Sequence, residues 1–279
     1  EYLVEARWLL RWISDIASLK GGGVEVLLDG VGEPLSHPGI LEIIRGASSL
    51  PLVRTVALET HGGFLSKKLL EELCMAGLSR INLSIDTLDP QKARRLTGIA
   101  WYDVRRIASL VEWAFENTCL DFVLTPVVIP GINEDDMVDL IEWAKSVGFG
   151  SKIGWPTGVL VQKYEAHRYG RRPAGIREWT WSRFYEWLRR LEERTSYKLI
   201  VSMEELGMRI APRLPKPYKV GDIVVARILG PGWLKGELLA VDLRMERIIT
   251  VIDAPPVNPG KRLRVRIIRD KDNIYLARA

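Results

Sequence analysis

The chain has 279 residues, of which 47% are hydrophobic and 27% charged, a composition typical of folded globular proteins that excludes a disordered or collagen-like chain. Its net charge is +5, with 40 basic and 35 acidic residues. The sequence has no run of about 18 uncharged apolar residues, and acids and bases interrupt the apolar stripe at its start, so we expect a cytoplasmic protein without a membrane partner or signal peptide.

Strand and helix patterns alternate along the first two thirds of the chain. The pattern begins with apolar residues at helical spacing, Trp8, Leu9, Trp12, Ile13 and Ile16. The predicted strands are Val24–Leu28, Val56–Thr60, Ile81–Asp86, Phe122–Gly131 and Val159–Tyr164. The predicted helices that separate or follow them are Ile40–Ile44, a helix capped by Ser66 and ended by Gly77, Val104–Phe115, a helix capped by Asn133 that runs to Val147, and a helix capped by Thr180. This alternation predicts an α/β fold with a parallel sheet.

Polar or glycine-rich turns follow the predicted strands in series. They are Gly30 to Pro34, Glu59 to Gly62, Ser84 to Thr87 and Ile129 to Asn133. Right-handed crossovers bring the carboxyl ends of parallel strands to one edge, which is where α/β folds bind ligands. One such turn alone is as well explained as an ordinary strand-to-helix connection. The functional prediction therefore depends on the series and its order.

Four segments resemble the partial barrel of radical S-adenosylmethionine (SAM) enzymes: LLDGVGEPLSHP (27–38), VALETHGGFLS (56–66), AGLSRINLSIDTLDPQKARRLTG (76–98) and TPVVIPGINEDD (125–136). The segment around Ser84 is similar to that of the radical SAM GTP cyclase of molybdenum-cofactor synthesis. The resemblance covers about half of the chain and implies a partial (β/α)6-type barrel with SAM as cofactor. It does not transfer a substrate.

The resemblance also implies which residues bind SAM. They are the turn of Gly30, Gly32, Glu33 and Pro34 for the amino group, Thr60 for the methionine end, Ser84 and Asp86 for the ribose hydroxyls, and the turn with Ile129 and Gly131 for the adenine. From the strand pattern alone, Ser84 and Asp86 share a face with Asn82, and the three can equally form a solvated or internally hydrogen-bonded row.

The family holds a [4Fe-4S] cluster through a Cys-x3-Cys-x2-Cys loop, which this sequence does not contain. Cys74 and Cys119 lie within a predicted helix and at a strand entrance, so they cannot replace the loop. They are too few for a disulfide framework, and we expect two small buried hydrophobic residues. Neither they nor His37, His61 and His167 have metal-ligand spacing, so no metal site is predicted. We expect a truncated enzyme, inactive alone, whose missing start binds a cluster reduced by an electron donor; the alternative is that the family chemistry is lost.

Arginines and aromatic residues concentrate after the last barrel strand. The loop Tyr164–Arg172 is basic and lies at a predicted carboxyl end, where it would meet an anionic substrate. In the helix capped by Thr180, the residues predicted to face inward are Trp181, Phe184, Leu188 and Leu191, and those predicted to face elsewhere are Arg183, Trp187 and Arg190. Arginine beside exposed aromatic rings can stack nucleotides, although a helix that simply closes the barrel is the plainer interpretation.

Three prolines within Pro212–Pro217 predict a linker, which separates a radical SAM partial barrel at residues 1–212 from a second domain at residues 213–279. The second domain has 14 basic and 7 acidic residues, whereas the residues before it have a net charge of −2. Its short glycine-broken strand patterns predict a five-stranded, OB-like β-barrel. The predicted strands are Asp222–Leu229, Gly236–Asp242, Arg247–Ile252, Leu263–Ile268 and Ile274–Ala277.

Two segments of this second domain, VGDIVVARILGPGWLKGELLAV (220–241) and KRLRVRIIRDKDNIYLA (261–277), resemble the TRAM domain, a small RNA-binding barrel. Within Lys261–Arg269, arginines alternate with apolar residues and would share one outer face. A row of guanidinium groups suits a phosphate backbone, while a solvated strand face is the alternative. The predicted RNA-binding residues are Trp233, Lys235, Lys261, Arg262, Arg264, Arg266 and Arg269.

Together these patterns predict an RNA-modifying radical SAM enzyme, in which a reduced cluster cleaves SAM to a 5′-deoxyadenosyl radical and the second domain holds tRNA or rRNA. Two alternatives stay open. One is a radical SAM enzyme that acts on a peptide or small molecule, and the other is a non-catalytic RNA-binding protein on a degenerate barrel.

Overall fold

Alternating strands and helices form the first of two units, residues 1–212, and short, mostly antiparallel strands form the second, residues 213–279. The computed structural model describes residues 3–30, 32–166, 173 and 175–279. Among these residues, no helix has both the length and the apolar character needed to cross a membrane.

The N-terminal unit is built on a parallel sheet, which confirms the predicted α/β class. Four strands pair in the order β1-β2-β3-β4, and two shorter ones, β5 and β6, form a separate parallel pair. The strands are β1 Val24–Leu28, β2 Val53–Thr60, β3 Arg80–Leu83, β4 Asp121–Leu124, β5 Val127–Val128 and β6 Gln162–Lys163. An isolated parallel bridge from Leu124 to Val159 continues the series beyond β4.

Three strands of this unit are shorter than predicted, and the last of them, predicted as Val159–Tyr164, is β6 Gln162–Lys163. The segment predicted as Phe122–Gly131 divides into β4 and β5 at Pro126, whose nitrogen has no hydrogen to donate to a neighbouring strand. The segment predicted as Ile81–Asp86 ends at Leu83, because the N–H of Ile85 turns back to the Leu83 carbonyl (3.0 Å). Ser84 and Asp86 therefore lie in the turn after β3 and not within the strand.

Seven helices are described in this unit: α1 Ala6–Leu19, α2 Ile40–Ser48, α3 Lys67–Met75, α4 Pro90–Thr97, α5 Val104–Asn117, α6 Asp136–Val147 and α7 Trp181–Thr195. Ser66 and Thr180 cap α3 and α7 through their hydroxyl oxygens, as predicted. The sequence reading missed α4, although Asp89 caps it and Gly98 ends it in the left-handed conformation. Trp181 was wrongly predicted to face inward: it is 53% exposed and lies over the Lys163 ammonium group.

The two faces of the sheet differ in chemistry. Val56, Leu58 and Ile81 are fully buried in the core between the sheet and its helices. Side chains alternate along a strand, so Glu59 and Asn82 lie on the opposite face, which we call the inner face. The core thus holds the strands in place while the inner face carries polar groups.

Cys74 and Cys119 form a disulfide with a Cα–Cα distance of 5.7 Å. It joins the last turn of α3 to Cys119, which lies two residues before β4 and is exposed. The prediction of two small buried hydrophobic residues was therefore wrong, because the fold brings together two cysteines that lie 45 residues apart in the sequence. The disulfide lies at the amino-terminal end of β4, away from the turns that follow the strands.

The C-terminal unit is a closed five-stranded barrel, as predicted. Its strands pair in the order β10-β11-β9-β8-β7, and β10 also pairs with β7 to close the barrel. They are β7 Ile223–Pro231, β8 Leu238–Asp242, β9 Ile248–Ile252, β10 Arg262–Arg269 and β11 Tyr275–Arg278. Ala226, Ile249, Val251, Ile267 and Tyr275 are among the residues that fill its core.

Candidate functional site

One carboxylate ties the turn after β1 to the turn after β2. Glu33 Oε1 accepts a hydrogen bond from the Leu35 N–H (3.2 Å), and Glu33 Oε2 accepts one from the His61 N–H (3.2 Å). Glu33 Oε2 also lies 3.2 Å from His61 Nε2, and the Glu33 side chain is 9% exposed. Gly30 is exposed in the same turn, and Gly32 has φ +126°, which side chains rarely adopt. The Glu33 side chain thus fixes the turn, and the Glu33 carbonyl accepts from the Ser36 N–H (2.9 Å) and the Ser36 hydroxyl (2.7 Å). The backbone that this turn can offer to a ligand is therefore that of its glycines.

Tyr102 links the turn after β2 to Asp86, which follows β3. Its hydroxyl donates to the His61 carbonyl (2.7 Å), and its ring packs edge-on against the His61 ring at 5.9 Å. Burial raises the pKa of Tyr102 well above its ordinary value, and the negative charges of Asp86 and Glu33 raise it further. Two carboxylates from different strand ends therefore lie near one neutral phenol. We call Glu33, His61, Ser84, Asp86 and Tyr102 the strand-end cluster.

Asn133 fixes the position of Asp86. Its Nδ2 donates to the carbonyl oxygens of Asp86 and Val127 (3.0 Å each), and its Oδ1 accepts from the Ile129 N–H (2.7 Å). Asp86 Oδ1 accepts from the Val127 N–H (2.8 Å), and burial raises the pKa of Asp86 despite that bond. Asn133 was predicted to cap α6, and that prediction was wrong: its side chain is buried, and Asp135 is the N-cap.

The structure brings some of the predicted cofactor residues together and not others. Ser84 is half-buried at the end of β3, and among the described residues neither its hydroxyl nor Asp86 Oδ2 has a hydrogen-bond partner. Gly131 has φ +76° in the turn that follows Ile129. The Thr60 side chain does not join the strand-end cluster. It is 2% exposed on the helix side of β2, and its hydroxyl accepts from the Gly62 N–H (3.0 Å).

A buried arginine organises the inner face near the strand starts. Arg80 donates to both carboxylate oxygens of Glu25 (2.7 and 2.9 Å) and through Nε to Asn82 Oδ1 (2.8 Å). Its guanidinium group also lies 4.1 Å from the ring centroid of Trp155. This network was not predicted from the sequence. The one sign of it there is that an arginine and an asparagine alternate with apolar residues in a short strand.

A second carboxylate lies on the inner face between this network and the strand ends. Glu59 Oε1 accepts from the Thr125 hydroxyl (2.6 Å). Burial raises the pKa of Glu59, and the hydrogen bonds from Thr125 and Asn82 offset part of that rise. The inner face thus offers hydrogen-bonded polar groups that can orient a polar molecule within the barrel.

The described residues do not fit a thiolate-bound iron-sulfur cluster. Among them, no three histidine, cysteine or acidic side chains converge where they could hold a metal ion. Both cysteines of the chain are joined to each other, and so neither is a free thiolate. The strand-end cluster does fit a ligand with neighbouring hydroxyl groups, because Ser84 and Asp86, two residues apart in the turn after β3, each offer an unpaired polar atom.

The barrel of the C-terminal unit carries cations on its outer surface. Arg262, Arg264 and Arg266 are exposed on β10, while Val265 and Ile267 point into the core. Among the other residues predicted to bind RNA, Trp233 is 54% exposed in the turn between β7 and β8, and exposed positions are also found for Lys235, Lys261 and Arg269.

The strand beside β10 extends this surface. Arg262 pairs with Arg227 of β7, and the next two arginines of β10 pair with Val225 and Ile223. Val225 and Ile223 are 42% and 48% exposed. An arginine row therefore lies beside an apolar row, and the sequence reading missed Arg227 and these two neighbours. We call this surface the arginine face.

Two further predictions concern loops. The basic stretch of the Tyr164–Arg172 loop, with His167, lies outside the described residues. His37 holds a turn, since its Nδ1 accepts from the Gly39 N–H (3.0 Å) and its Nε2 lies 3.0 Å from the Val4 carbonyl.

In comparison with known families, the profile of the Radical SAM superfamily matches residues 4–144. Among curated proteins, the chain is 30% identical to the uncharacterized protein MJ0103 of Methanocaldococcus jannaschii, across 99% of this chain and 67% of that protein. It is 37% identical to the GTP 3′,8-cyclase of Crocosphaera subtropica, over 40% of this chain and 33% of the cyclase. The chain thus spans about a third of that cyclase's length.

Solved structures share the fold. Streptococcus suis SuiB bound to S-adenosylmethionine superimposes with a TM-score of 0.52 at 16% identity, over 71% of this chain and 43% of SuiB. SuiB bound to its precursor peptide SuiA gives a TM-score of 0.51 at 16% identity, over 71% and 42%. At this identity the likeness concerns the fold alone.

Proposed function

Because the chain belongs to the radical SAM superfamily of enzymes, we propose that it binds SAM at the strand-end cluster and modifies RNA that its C-terminal barrel holds. Enzymes of this superfamily use SAM and a [4Fe-4S] cluster, which together supply radical chemistry at a substrate carbon. We assign the described residues to binding and orientation, since they do not fit the ligation of the cluster.

Three features of the strand-end cluster support SAM binding. The Gly32 bend leaves backbone groups beside Glu33 for the amino group of SAM, while the Glu33 side chain is occupied in holding the turn. Ser84 and Asp86 offer a hydroxyl and a carboxylate oxygen to the ribose. The turn with Ile129 and Gly131, which Asn133 holds in place, would flank the adenine.

The arginine face is the observation that carries the RNA part of the proposal. Three exposed arginines at alternate positions of one strand repeat at the spacing of a β-strand, and a fourth, Arg227, lies opposite the first. Cations arranged in a row neutralise successive phosphates of a backbone. The exposed Trp233 ring adds a surface on which a base can stack. This combination, resembling a TRAM domain, favours RNA over a peptide or a small molecule.

Salt-dependent RNA binding tests the proposal. The full chain is titrated with fluorescent tRNA at several salt concentrations, alongside a variant with Arg262→Gln, Arg264→Gln and Arg266→Gln. The control changes three exposed arginines of α7, with Arg189→Gln, Arg190→Gln and Arg194→Gln, and so loses the same charge. We expect the β10 variant to lose at least about tenfold in affinity, and the slope of log affinity against log salt to become shallower by about 2.

Each outcome decides between the alternatives. If the two triple variants lose the same affinity, net charge and not the arginine face binds RNA, and the assignment of the barrel is wrong. If the parent chain binds no RNA at any salt concentration, the substrate is of another class, and a peptide or small molecule becomes the leading candidate.

A further inference from the structure

Two aromatic side chains lie together on the surface of the N-terminal unit. Phe64 follows β2 and Trp101 precedes α5, and their ring centroids are 6.3 Å apart at an interplanar angle of 58°. Phe64 is 50% exposed and Trp101 is 61% exposed. Rings of this size are usually buried, so two adjacent exposed ones need an explanation. We call them the aromatic pair.

The chain beside the aromatic pair is shaped for close packing. A Cβ atom on Gly63 would lie 2.7 Å from the ring of His61 and 3.2 Å from the ring of Trp101. Any other residue at this position would therefore push one of these rings away. The closest contact would be with His61, and glycine at this position lets the rings of His61 and Trp101 both pack against the loop.

Arg106 holds the same loop from the other side. Its guanidinium group donates to the carbonyl of Gly63 (2.9 Å) and to the carbonyl of Leu65 (2.8 Å), the residues on either side of Phe64. The Tyr102 hydroxyl holds the His61 carbonyl of this loop as well. Phe64 thus points outward from a loop that hydrogen bonds fix, which is how a preformed binding surface is built.

The aromatic pair borders the strand-end cluster. The His61 ring centroid is 6.1 Å from that of Phe64, and His61 Nε2 lies 3.2 Å from Glu33 Oε2. The His61 ring therefore lies between the aromatic pair and Glu33, whose turn we assign to SAM binding. A molecule that contacts these two rings lies close to the reaction site.

Arginines flank Trp101 along the chain, and one of them, Arg106, contacts the Phe64 loop. The last turn of α4 and the first turn of α5 each carry two exposed arginines: Arg94, Arg95, Arg105 and Arg106. Asp103 caps α5 by accepting from the Arg105 and Arg106 N–H groups (3.1 Å each), and no acidic residue lies in the first turn after it. Exposed aromatic rings near cations suit a nucleic acid strand, because its bases can stack on the rings and its phosphates can pair with the cations. They do not suit a neutral, apolar partner.

We infer that Phe64 and Trp101 form a stacking site for an unpaired nucleobase of the RNA substrate, at the edge of the strand-end cluster. The inference rests on the proposed function and deepens it, because it requires that the modified nucleotide lies in a single-stranded region. The base stacked here would be a neighbour of the modified nucleotide, and nearby arginines would contact its phosphates.

Single-stranded and double-stranded RNA distinguish this site from the arginine face. We compare Phe64→Leu and Trp101→Leu with Trp181→Leu, a control that removes a ring of similar exposure from α7. Leucine keeps an apolar side chain but removes the stacking surface. We expect the two test variants to bind a single-stranded oligonucleotide about five- to a hundredfold more weakly. Their affinity for a duplex and the salt slope should match those of the parent.

A second measurement reports stacking directly. A 2-aminopurine base placed within the oligonucleotide loses fluorescence when it stacks on an aromatic ring. We expect quenching on binding to the parent and to Trp181→Leu, and its loss with Trp101→Leu. Thermal melting of each variant shows whether the fold is intact, and Phe64→Leu provides the second test should Trp101→Leu melt early.

Two results would overturn the inference. Unchanged single-stranded affinity and quenching in both variants, with the β10 arginine variant still weakened, would remove the stacking site and leave the proposed function standing. A change of oligomeric state in Phe64→Leu or Trp101→Leu, seen by sedimentation, would show that the rings cover a second copy of the chain. Absence of RNA binding in the parent would refute the proposed function itself.

Discussion

The two units differ in where they hold one distinctive set of charged side chains. In the N-terminal unit such a set lies on the inner face of the sheet, where Arg80 bonds to Glu25 and Asn82, and Thr125 bonds to Glu59. In the C-terminal unit the arginines of β10 lie on the outer surface of a barrel whose core is mostly apolar. The first arrangement is buried and satisfied by partners within the chain, whereas the second is exposed to solvent.

This difference separates two kinds of binding. Fixed, partnered polar groups inside a barrel present donors and acceptors in one geometry, which suits recognition of one small molecule. Exposed cations in a row adapt to any phosphate backbone and lose affinity as salt rises. We therefore expect the N-terminal unit to provide specificity and the C-terminal unit to provide affinity. This difference predicts how mutation of charged residues in each unit changes stability.

The largest expected effect tests whether inner-face charges are structural. Arg80→Ala leaves Glu25 without its ion-pair partner, although the Thr55 hydroxyl still donates to Glu25 (3.0 Å). We expect the free energy of unfolding to fall by about 3 kcal/mol, the low end for a broken buried pair, because Glu25 keeps some exposure. The control Arg264→Ala, on the arginine face, should change it by less than about 0.5 kcal/mol. Urea titration followed by circular dichroism measures both. Equal losses of unfolding free energy in the two variants would contradict this difference between the units.

A smaller effect is expected at the strand-end cluster. Asn133→Ala removes three hydrogen bonds that hold Asp86, Val127 and Ile129, and should lower the free energy of unfolding by about 2 kcal/mol. SAM affinity, measured by calorimetry, should fall with it, since Asp86 loses its support. Asn117→Ala is the matched control, because the exposed Asn117 makes one bond to the Trp113 carbonyl. If Asn133→Ala loses stability but keeps its SAM affinity, Asp86 does not bind the cofactor.

The sequence predicted what local patterns encode. Apolar spacing and glycine-rich turns predicted the alternating elements, the strand-end turns and the closed barrel, because each depends on residues close together in the chain. Contacts between distant segments were missed, such as the bonds from Tyr102 to His61 and from Arg80 to Glu25. The Cys74–Cys119 disulfide belongs to the same class. These partners are 41 or more residues apart, and one sequence contains no signal that pairs them.

The smallest effects are pH dependences of opposite sign in the two units. Burial raises the pKa of Glu59, so the folded state holds its proton more tightly than the unfolded state does. Stability then falls as the pH rises from the ordinary glutamate pKa to the raised one. Glu59→Gln removes this loss and can still accept from Thr125. We expect the variant to gain stability over the parent across that window, with a constant difference above it.

Asp242 in the C-terminal barrel provides the opposite case. Burial raises the pKa of Asp242, but hydrogen bonds from the Arg247 N–H, the Tyr218 hydroxyl and the Glu246 N–H outweigh it and leave the pKa below its ordinary value. Its contribution to stability is therefore present above the ordinary aspartate pKa and is lost as the pH falls through the lowered one. Asp242→Asn should destabilise the barrel at neutral pH and progressively less in acid.

Amide exchange of β8 and β9 measures the Asp242 effect, and the helical circular dichroism signal measures the Glu59 effect, since all described α-helices lie in the N-terminal unit. If the stability differences of both variants change with pH in the same direction, the same effect, burial or hydrogen bonding, dominates the pKa of both carboxylates. Opposite slopes would show that burial dominates the pKa of Glu59, whereas hydrogen bonds within the fold dominate the pKa of Asp242.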